Sequence, residues 1–352
     1  MTESRTTKTV EAYRRRVDQI RRQAAAHLGY ENPRLVPPLS VVEHLIDRKL
    51  ASGELIVAKG HKGRPDKEAR ALADRAITRA TWRQYKAALM FVLEEERLAA
   101  TDGVVVEELT IATATLQNES QSGCLKGSRR SSGYKQKGFP DADFEAIESF
   151  LKQSIGTRRP PKKAMALLTW LRAGRIVGVR PTEWRSAGLI EMDGRLAIRF
   201  GNAKTTNGRG NGASRTLMLD SATAEDIEHL DDMLYMLIEQ DKQEDYDFDR
   251  ELKLLSTFMW RVTRRCLGKR TRYPTLYSLR HQFAADAKLS QTQAEIAALM
   301  GHASDATATA HYGRRAAGQR ALKVSALATQ VGTVRKSRKS RLHPSKPAID
   351  RS

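Results

Sequence analysis

The chain has 352 residues, and at roughly 150 residues per domain this length favours two domains. Its 61 Lys and Arg residues against 41 Asp and Glu leave a formal net charge of +20, which argues against a typical neutral metabolic enzyme and predicts a polyanionic partner. The sequence contains no apolar run long enough to predict a membrane span or a secretory signal. Its two cysteines, Cys124 and Cys266, are too few for a disulfide framework or a cysteine-built zinc site.

The N-terminal part, residues 1–116, is predicted to be a small, helical and basic domain. Apolar side chains recur at three- and four-residue spacing over 9–28, and Ser40 with Glu43 forms a capping box that predicts a second helix start. Residues 53–76 are polar and glycine-containing, which predicts mostly loop. A protein as basic as this chain binds nucleic acid or an anionic membrane, and the lack of a strongly amphipathic basic helix with a bulky aromatic face favours nucleic acid.

The clearest helix of this part covers about 78–97, with Trp82 and Leu89 on its apolar face. A second face of the helix carries the basic side chains of Arg79, Arg83 and Lys86. A basic stripe on one helix is often only a solvated surface. A second basic helix in the same small domain favours contacts with DNA phosphates.

Residues 117–138 are predicted to be a basic, flexible linker. The run SGCLKGSRRSSGYKQKG is rich in Gly and Ser and contains five Lys or Arg residues without an acid. Such a linker can lie along a DNA backbone, with Arg129 and Arg130 as contacts, or can simply be a soluble tether. A domain boundary is therefore expected here.

The second domain, residues 139–330, is predicted to be helical with one β insertion, followed by a disordered basic tail over 331–352. Alternation over 196–200 and a return strand over 216–219 predict a β-hairpin. Trp170, Trp184 and Trp260 are predicted to lie in the core. Helices are predicted at about 141–151, 162–173, from Pro181, 223–240, 248–267, 276–288, 290–301 (capped by Ser290 and Gln293) and 315–330.

Four short segments of this domain carry the chemistry. They are GVRPTEW at 178–184, NAK at 202–204, LYSLRH at 276–281 and MGHASDATATAHYG at 300–313. In this order they resemble the active-site boxes of the tyrosine recombinase, or phage integrase, family. The resemblance covers roughly residues 140–330 by motif and the N-terminal domain only by its general character.

The resemblance implies catalytic roles residue by residue. Arg180 and Arg280 match the two catalytic arginines, Lys204 the lysine on a hairpin, His302 the histidine of a Gly-His pair, and Tyr312 the nucleophile. Five matches in the correct order, with a turn around the lysine, are far more specific than any one of them.

Four further residues extend this prediction. Tyr277 stands where the family usually has a histidine, so the identity of the general base stays open, and Tyr277 is either catalytic or a packed core tyrosine. Glu183 is predicted to hold an arginine, and His281 and His311 are predicted to support the site. The interval from His302 to Tyr312 is one residue longer than is usual in the family.

Elementary chemistry agrees with this assignment. Planar guanidinium groups can bind the non-bridging oxygens of a phosphodiester in its transition state. A tyrosine hydroxyl near positive charge can form a covalent phosphoester. Lys204 can supply a proton to the leaving 5′-oxygen. Neither metal nor ATP is needed because the phosphotyrosyl bond stores the energy for rejoining, so no cofactor is expected.

The predicted fold class is mainly α with a small β insertion, an α+β catalytic domain that follows a helical DNA-binding domain. The resemblance implies that the two domains clamp double-stranded DNA, cut it through a 3′-phosphotyrosyl intermediate and exchange strands as a tetramer on two DNA sites. A cytoplasmic, nucleoid-associated protein of a mobile element is expected, without membrane contact. The alternatives are a telomere resolvase, a type IB topoisomerase-like strand transferase, or a DNA-binding regulator without catalysis.

Overall fold

The computed structural model describes residues 6–58, 76–125, 135–203, 210–307 and 312–337. The chain divides into two compact units, Met1–Arg130 and Ser131–Ser352. The division lies inside the segment 117–138 that the sequence marks as a linker. Among the described residues, no helix has both the length and the apolar character needed to cross a membrane.

In its described residues, the first unit consists of helices around one apolar core. The helices are α1 (Thr7–Leu28), α2 (Pro38–Ala58), α3 (Arg79–Ala99) and α4 (Gly103–Asn118). Trp82, Leu89 and Leu93 of α3 are buried between α1 and α4, as the periodicity of the sequence predicts. Helix α4 was not predicted.

Three sequence predictions for this unit are wrong. Helix α2 begins at Pro38 rather than Ser40, because a proline is tolerated in the first turn of a helix. The same helix runs through 53–58, where loop was expected. The start of the predicted flexible linker is also ordered. Cys124 is buried, and the Leu125 amide donates a hydrogen bond to the Ile77 carbonyl oxygen at 3.1 Å, so this stretch packs onto the first unit.

Where the structure describes it, the second unit is mainly helical and contains one small sheet. Its helices are α5 (Asp141–Ile155), α6 (Ala164–Val177), α7 (Ala224–Asp241), α8 (Phe248–Cys266), α9 (Leu276–Ser290) and α10 (Gln293–Leu299). Helices α6 and α9 pack together at the centre of its core, and Gly178 ends α6 in the left-handed conformation with φ of 57°. A Cβ at Gly178 would lie 2.1 Å from Phe283 Cγ, so only glycine lets this turn approach α9.

The sheet is antiparallel, with strand order β1-β2-β3-β4. Its strands are β1 (Gly188–Met192), β2 (Arg195–Gly201), β3 (Ser214–Met218) and β4 (Ser325–Ala326). Ile198 is opposite both Leu189 of β1 and Leu217 of β3. Strands β2 and β3 form the predicted hairpin, whereas β1 and β4 were not predicted. The described parts of the chain therefore show the predicted fold class, mainly α with a small β insertion.

The predicted helix over 315–330 is wrong. The segment contains a 3₁₀ turn at Arg315–Ala317, strand β4, and a short helix, α11 (Ala328–Gly332). Ser325 pairs with Met218 of β3, and Val324 is buried. Pairing with a preformed strand and burial of Val324 outweigh the helical propensity of this Ala-rich stretch.

Two smaller expectations for the second unit also fail. Trp260 is 54% exposed rather than buried, because the core-facing side chains of α8 are Leu255, Met259 and Val262, and Trp260 lies one position off that face. The N-terminus of α10 is capped by Thr292, whose hydroxyl accepts from the Glu295 amide at 3.3 Å, rather than by Ser290.

Candidate active site

Seven of the predicted site residues come together in the second unit. Arg180 and Glu183 follow the Gly178 turn, Tyr277, Arg280 and His281 lie on α9, and His302 follows α10. Tyr277, Arg280, His281 and His302 contact Tyr312, and Arg180 is connected to it through Glu183 and Arg280. Lys204, His311, Arg129 and Arg130 lie outside the described residues.

Arg280 is the most completely held of these side chains. It is fully buried, and its guanidinium donates to the carbonyl oxygens of Gly178 at 3.2 Å (Nη1) and Met300 at 2.6 Å (Nη2). Its Nε donates to Tyr312 Oη at 3.2 Å. Because these bonds use one side chain to join the end of α6, the end of α10 and the tyrosine, Arg280 fixes the position of Tyr312 relative to both helices.

Glu183 is the shared acidic partner of the arginines. The residue is buried, and its Oε1 accepts from Arg180 Nη1 at 2.6 Å, while its Oε2 accepts from Arg215 Nη2 at 2.7 Å and lies 3.7 Å from Arg280 Nη1. Burial would raise the pKa of the Glu183 carboxyl, but Arg215, Arg280 and Arg180 lower that pKa to about 2. Glu183 is therefore ionised at neutral pH.

Arg215 is a buried site residue that the sequence analysis missed. Its Nη1 donates to Asn202 Oδ1 at 2.6 Å and its Nε to the Leu299 carbonyl oxygen at 3.0 Å. Burial lowers the pKa of Arg215 to about 10, with Glu183 opposing the shift, so the guanidinium is still charged at neutral pH. Its partners Asn202, Glu183 and Leu299 lie far from it in sequence, so no local pattern marks it.

Asn202 connects this buried cluster to the end of the β2–β3 hairpin. Its Nδ2 donates to the carbonyl oxygens of Asn211 and Gly212, at 3.1 and 3.0 Å, and the amide of Ala203 donates to Glu183 Oε1 at 3.3 Å. A Cβ at Gly301 would lie 2.3 Å from Asn202 Oδ1, so glycine is required beside this side chain. Ala203 is thus anchored beside the carboxylate that holds Arg180, and Gly210, on the other side of 204–209, forms a backbone bridge with His302.

Both histidines of the site are neutral at physiological pH. Burial and the charges of Arg280, Arg180 and Arg215 lower the pKa of His302 to about 2. Burial, with Lys137, Arg280 and Lys288 adding to it, lowers the pKa of His281 to about 4. Arg280 Nη2 can only donate and lies 3.4 Å from His302 Nε2, so we assign the His302 proton to Nδ1. Nδ1 is buried and has no hydrogen-bond partner among the described residues.

Tyr312 lies among aromatic and basic side chains. The ring centroids of His281 and His302 are 5.0 and 5.2 Å from that of Tyr312, and the Arg280 guanidinium is 5.3 Å from it. The hydroxyl oxygens of Tyr277 and Tyr312 are 3.1 Å apart. Tyr277 is 37% exposed, so it is not a buried core tyrosine.

A groove beside the site is lined by basic and aromatic residues. The groove has a volume of about 910 Å³, and Arg180 and Tyr277 line part of it. The Arg264 guanidinium stacks 4.8 Å from the centroid of the exposed Trp260 ring in the same groove. No Asp or Glu is found among the described residues that line it, which favours an anionic occupant.

The three basic residues of α3 differ in their surroundings. Arg79 and Arg83 are exposed. Lys86 Nζ donates to the carbonyl oxygens of Gln117 and Glu119, at 2.9 and 2.6 Å, and so caps the end of α4. Lys86 therefore has a structural role beside any role in binding.

The residues that the structure describes include no group of three or more His, Cys, Asp or Glu side chains placed to hold a metal ion.

Comparison with known proteins finds distant structural likenesses only. The chain is similar to the XerH site-specific recombinase bound to difH substrate in a pre-cleavage complex, with 14% identity, a TM-score of 0.37, and coverage of 79% of this chain and 94% of that one. A lambda integrase dimer bound to a COC′ core site gives 16% identity, a TM-score of 0.33, and coverage of 77% and 87%. No protein-family model and no curated protein matches the chain. Likenesses this distant do not assign a function.

Proposed function

We propose that this chain is a tyrosine-type site-specific DNA recombinase with Tyr312 as its nucleophile. The observation that carries the proposal is the charge balance around Tyr312. The guanidinium groups of Arg180, Arg215 and Arg280 share one carboxylate, that of Glu183, while the neighbouring histidines are neutral. Buried positive charge in excess calls for an anion, and a phosphodiester next to a tyrosine oxygen supplies it.

Unsatisfied hydrogen-bond donors support the same proposal. Arg180 Nε and His302 Nδ1 are buried without a partner among the described residues. Leaving such donors unpaired costs free energy unless an acceptor enters the site. The non-bridging oxygens of a phosphodiester are acceptors that fit both groups.

The proposed reaction is a transesterification. The Tyr312 oxygen forms a bond to phosphorus, the bond from phosphorus to the 5′-oxygen breaks, and that oxygen takes a proton, for which Lys204 is the candidate donor. The 5′-hydroxyl of a partner strand then reverses these steps and frees the tyrosine. Double-stranded DNA is the proposed partner because the chain is strongly basic, and strand exchange between two sites implies a tetramer.

Covalent trapping tests the proposal. The full chain and its Tyr312→Phe variant are incubated with labelled, nicked duplexes tiled across the ends of the element that encodes the chain, and products are separated on a denaturing gel. Tyr235→Phe, which changes an exposed tyrosine on α7, is the matched control. We expect an adduct with the wild type and the control but none with Tyr312→Phe.

The products separate the alternatives. Exchange between two duplexes indicates a recombinase, hairpin ends indicate a resolvase, and relaxation of supercoiled DNA without sequence choice indicates a topoisomerase. Binding in native gels without an adduct on any duplex would contradict the catalytic proposal and favour a DNA-binding regulator.

A further inference from the structure

The hydroxyl groups of Tyr277 and Tyr312 form a direct pair in the site, and no role for this pair follows from the proposed function alone. We propose that Tyr277 donates a hydrogen bond to the Tyr312 oxygen and thereby holds Tyr312 as a phenolate before it attacks phosphorus. The inference rests on the proposed role of Tyr312 as the nucleophile. It gives Tyr277 the role of an electrostatic partner of the nucleophile rather than that of a proton acceptor.

The direction of this hydrogen bond follows from the other contacts of the two oxygens. Arg280 Nε can only donate, and it lies 3.2 Å from Tyr312 Oη, so the Tyr312 oxygen is already an acceptor. The Tyr277 oxygen lies 3.1 Å from Tyr312 Oη and has no other hydrogen-bond partner among the described residues. Negative charge is best stabilised on the oxygen that faces the guanidinium, which leaves Tyr277 as the donor.

The charged groups around the pair act in the same direction. Arg280 reaches the pair from α9 and Arg180 from the turn after α6, and both favour a negative oxygen. The Glu183 carboxylate is held by the guanidinium groups of Arg180 and Arg215 and lies 3.7 Å from Arg280 Nη1. The rings of His281 and His302 flank Tyr312 and are neutral above their lowered pKa values.

The pKa directions of the two tyrosines agree with this assignment. Burial would raise the pKa of Tyr312, but the Arg280 charge and the hydrogen bonds from Tyr277 and Arg280 outweigh it and lower the pKa below its ordinary value. Partial burial of Tyr277 and the neighbouring Tyr312 oxygen raise the pKa of Tyr277 to about 12. Tyr277 therefore keeps its proton in the pH range where Tyr312 loses its own.

The proton balance of the reaction follows directly. The Tyr312 proton leaves to water before the attack, and Tyr277 keeps its proton throughout. The bond between the Tyr312 oxygen and phosphorus forms, the bond to the 5′-oxygen breaks, and the general acid protonates that oxygen. No side chain has to accept a proton from the nucleophile during the attack.

Titration of the tyrosines in the full chain tests the pair without depending on catalysis. Tyrosine labelled with a carbon isotope at Cζ is incorporated, and the Cζ resonance is followed by NMR against pH. Tyr277→Phe and Tyr312→Phe identify the two resonances by their loss, and Tyr235→Phe serves as a control that removes an exposed hydroxyl. In the wild type, we expect the titration midpoint of Tyr312 to lie at lower pH than that of Tyr277.

The variant Tyr277→Phe keeps the ring that packs against His281 and removes only the donor. We expect this change to raise the titration midpoint of Tyr312 by about one to two pH units, which corresponds to the free energy of a hydrogen bond to a charged group. The Tyr235→Phe variant should leave the midpoint unchanged. Titration of Tyr277 before Tyr312 in the wild type, or an unchanged Tyr312 midpoint in Tyr277→Phe, would overturn the inference.

The rate of adduct formation gives a second, functional measurement. If phenolate is the attacking form, Tyr277→Phe should slow adduct formation at neutral pH by about ten- to a hundredfold and recover the wild-type rate at high pH. A loss that is equal at every pH would contradict the inference. Failure of the proposed function is distinguishable, because then the wild type forms no adduct at any pH while the titration still reports the hydroxyl pair.

Discussion

At the scale of single residues, the carboxylate of Glu183 determines how the arginines of the site are held. It accepts hydrogen bonds from Arg180 and Arg215 and also from the backbone amides of Arg180 and Ala203. Removing one member of a buried charge network leaves the others uncompensated, which costs more than the network itself contributes. We therefore expect Glu183 to stabilise the second unit.

We predict that Glu183→Gln lowers the free energy of unfolding by about 3 kcal/mol at neutral pH. Because the folded-state pKa of Glu183 is depressed to about 2, its stabilisation is present above the pKa of the unfolded state and is lost as the pH falls towards 2. The difference between wild type and variant should therefore shrink in acid. Urea unfolding at a series of pH values measures it.

The matched control is Glu225→Gln, which removes a carboxylate that is 79% exposed. This substitution should change stability little at any pH, because exposed ion pairs contribute little. A Glu183→Gln variant as stable as this control at neutral pH would show that the carboxylate does not hold the arginines together.

The sequence predicts those candidate site residues whose neighbours in the chain form a motif. Arg180 and Glu183 are close in sequence, and Arg280 shares its motif with Tyr277. Arg215 carries no such signal, since its three side-chain hydrogen bonds go to residues 13, 32 and 84 positions away. Its place in the site can be recognised only from the fold, which brings those partners close to β3.

At the scale of elements, prediction succeeds best where one face of a helix is clearly apolar, as in α3, α7 and α8, which begin and end within a few residues of their predicted bounds. Helix α9 also matches its predicted bounds, although its buried side chains include polar ones such as Arg280 and Gln282. The segment 315–330 has helical composition, but long-range pairing of β4 with β3 determines its structure. Local propensity cannot reveal an edge that another strand offers for pairing.

The C-terminal segment that follows Lys323 packs against its own unit and supports the part of the chain that carries His302. The Arg335 amide donates to the Ala303 carbonyl oxygen at 2.9 Å, and the Asp305 amide donates to the Arg335 carbonyl oxygen at 3.3 Å. Val324 and Val334 are buried. These contacts connect the stability of the segment to the geometry of the site.

We predict that a chain ending at Lys323 is less stable than one ending at Ser337. Loss of the buried contacts of Val324 and Val334 should cost about 3 kcal/mol, which corresponds to a melting temperature lower by about 6 to 12 °C. Adduct formation should also fall, because Ala303 and Asp305 lose their partner. Equal melting temperatures for the two chains, measured by circular dichroism, would contradict the supporting role of this segment.

At the scale of the whole molecule, the basic side chains differ in whether they already have a partner within the chain. The chain carries a net charge of +20, yet many of its basic side chains already have acidic or carbonyl partners, such as Arg97 with Glu94 and Lys86 with the end of α4. Arg79 and Arg83 lie on α3, as do Arg97 and Lys86, and are exposed. Only cations that are free to displace counterions add to the salt dependence of DNA binding.

We predict that Arg79→Gln and Arg83→Gln each weaken binding of the full chain to duplex DNA and reduce the slope of log Kd against log salt concentration by about one. Fluorescence anisotropy over a series of salt concentrations measures the slope. The control is Arg97→Gln on the same helix, whose Nη2 is paired with Glu94 Oε1 at 2.8 Å. The slope of log Kd against log salt concentration should stay at the wild-type value in Arg97→Gln, because Glu94 on the same helix already neutralises the charge of Arg97. If all three variants changed the slope equally, net charge rather than this face of α3 would account for binding.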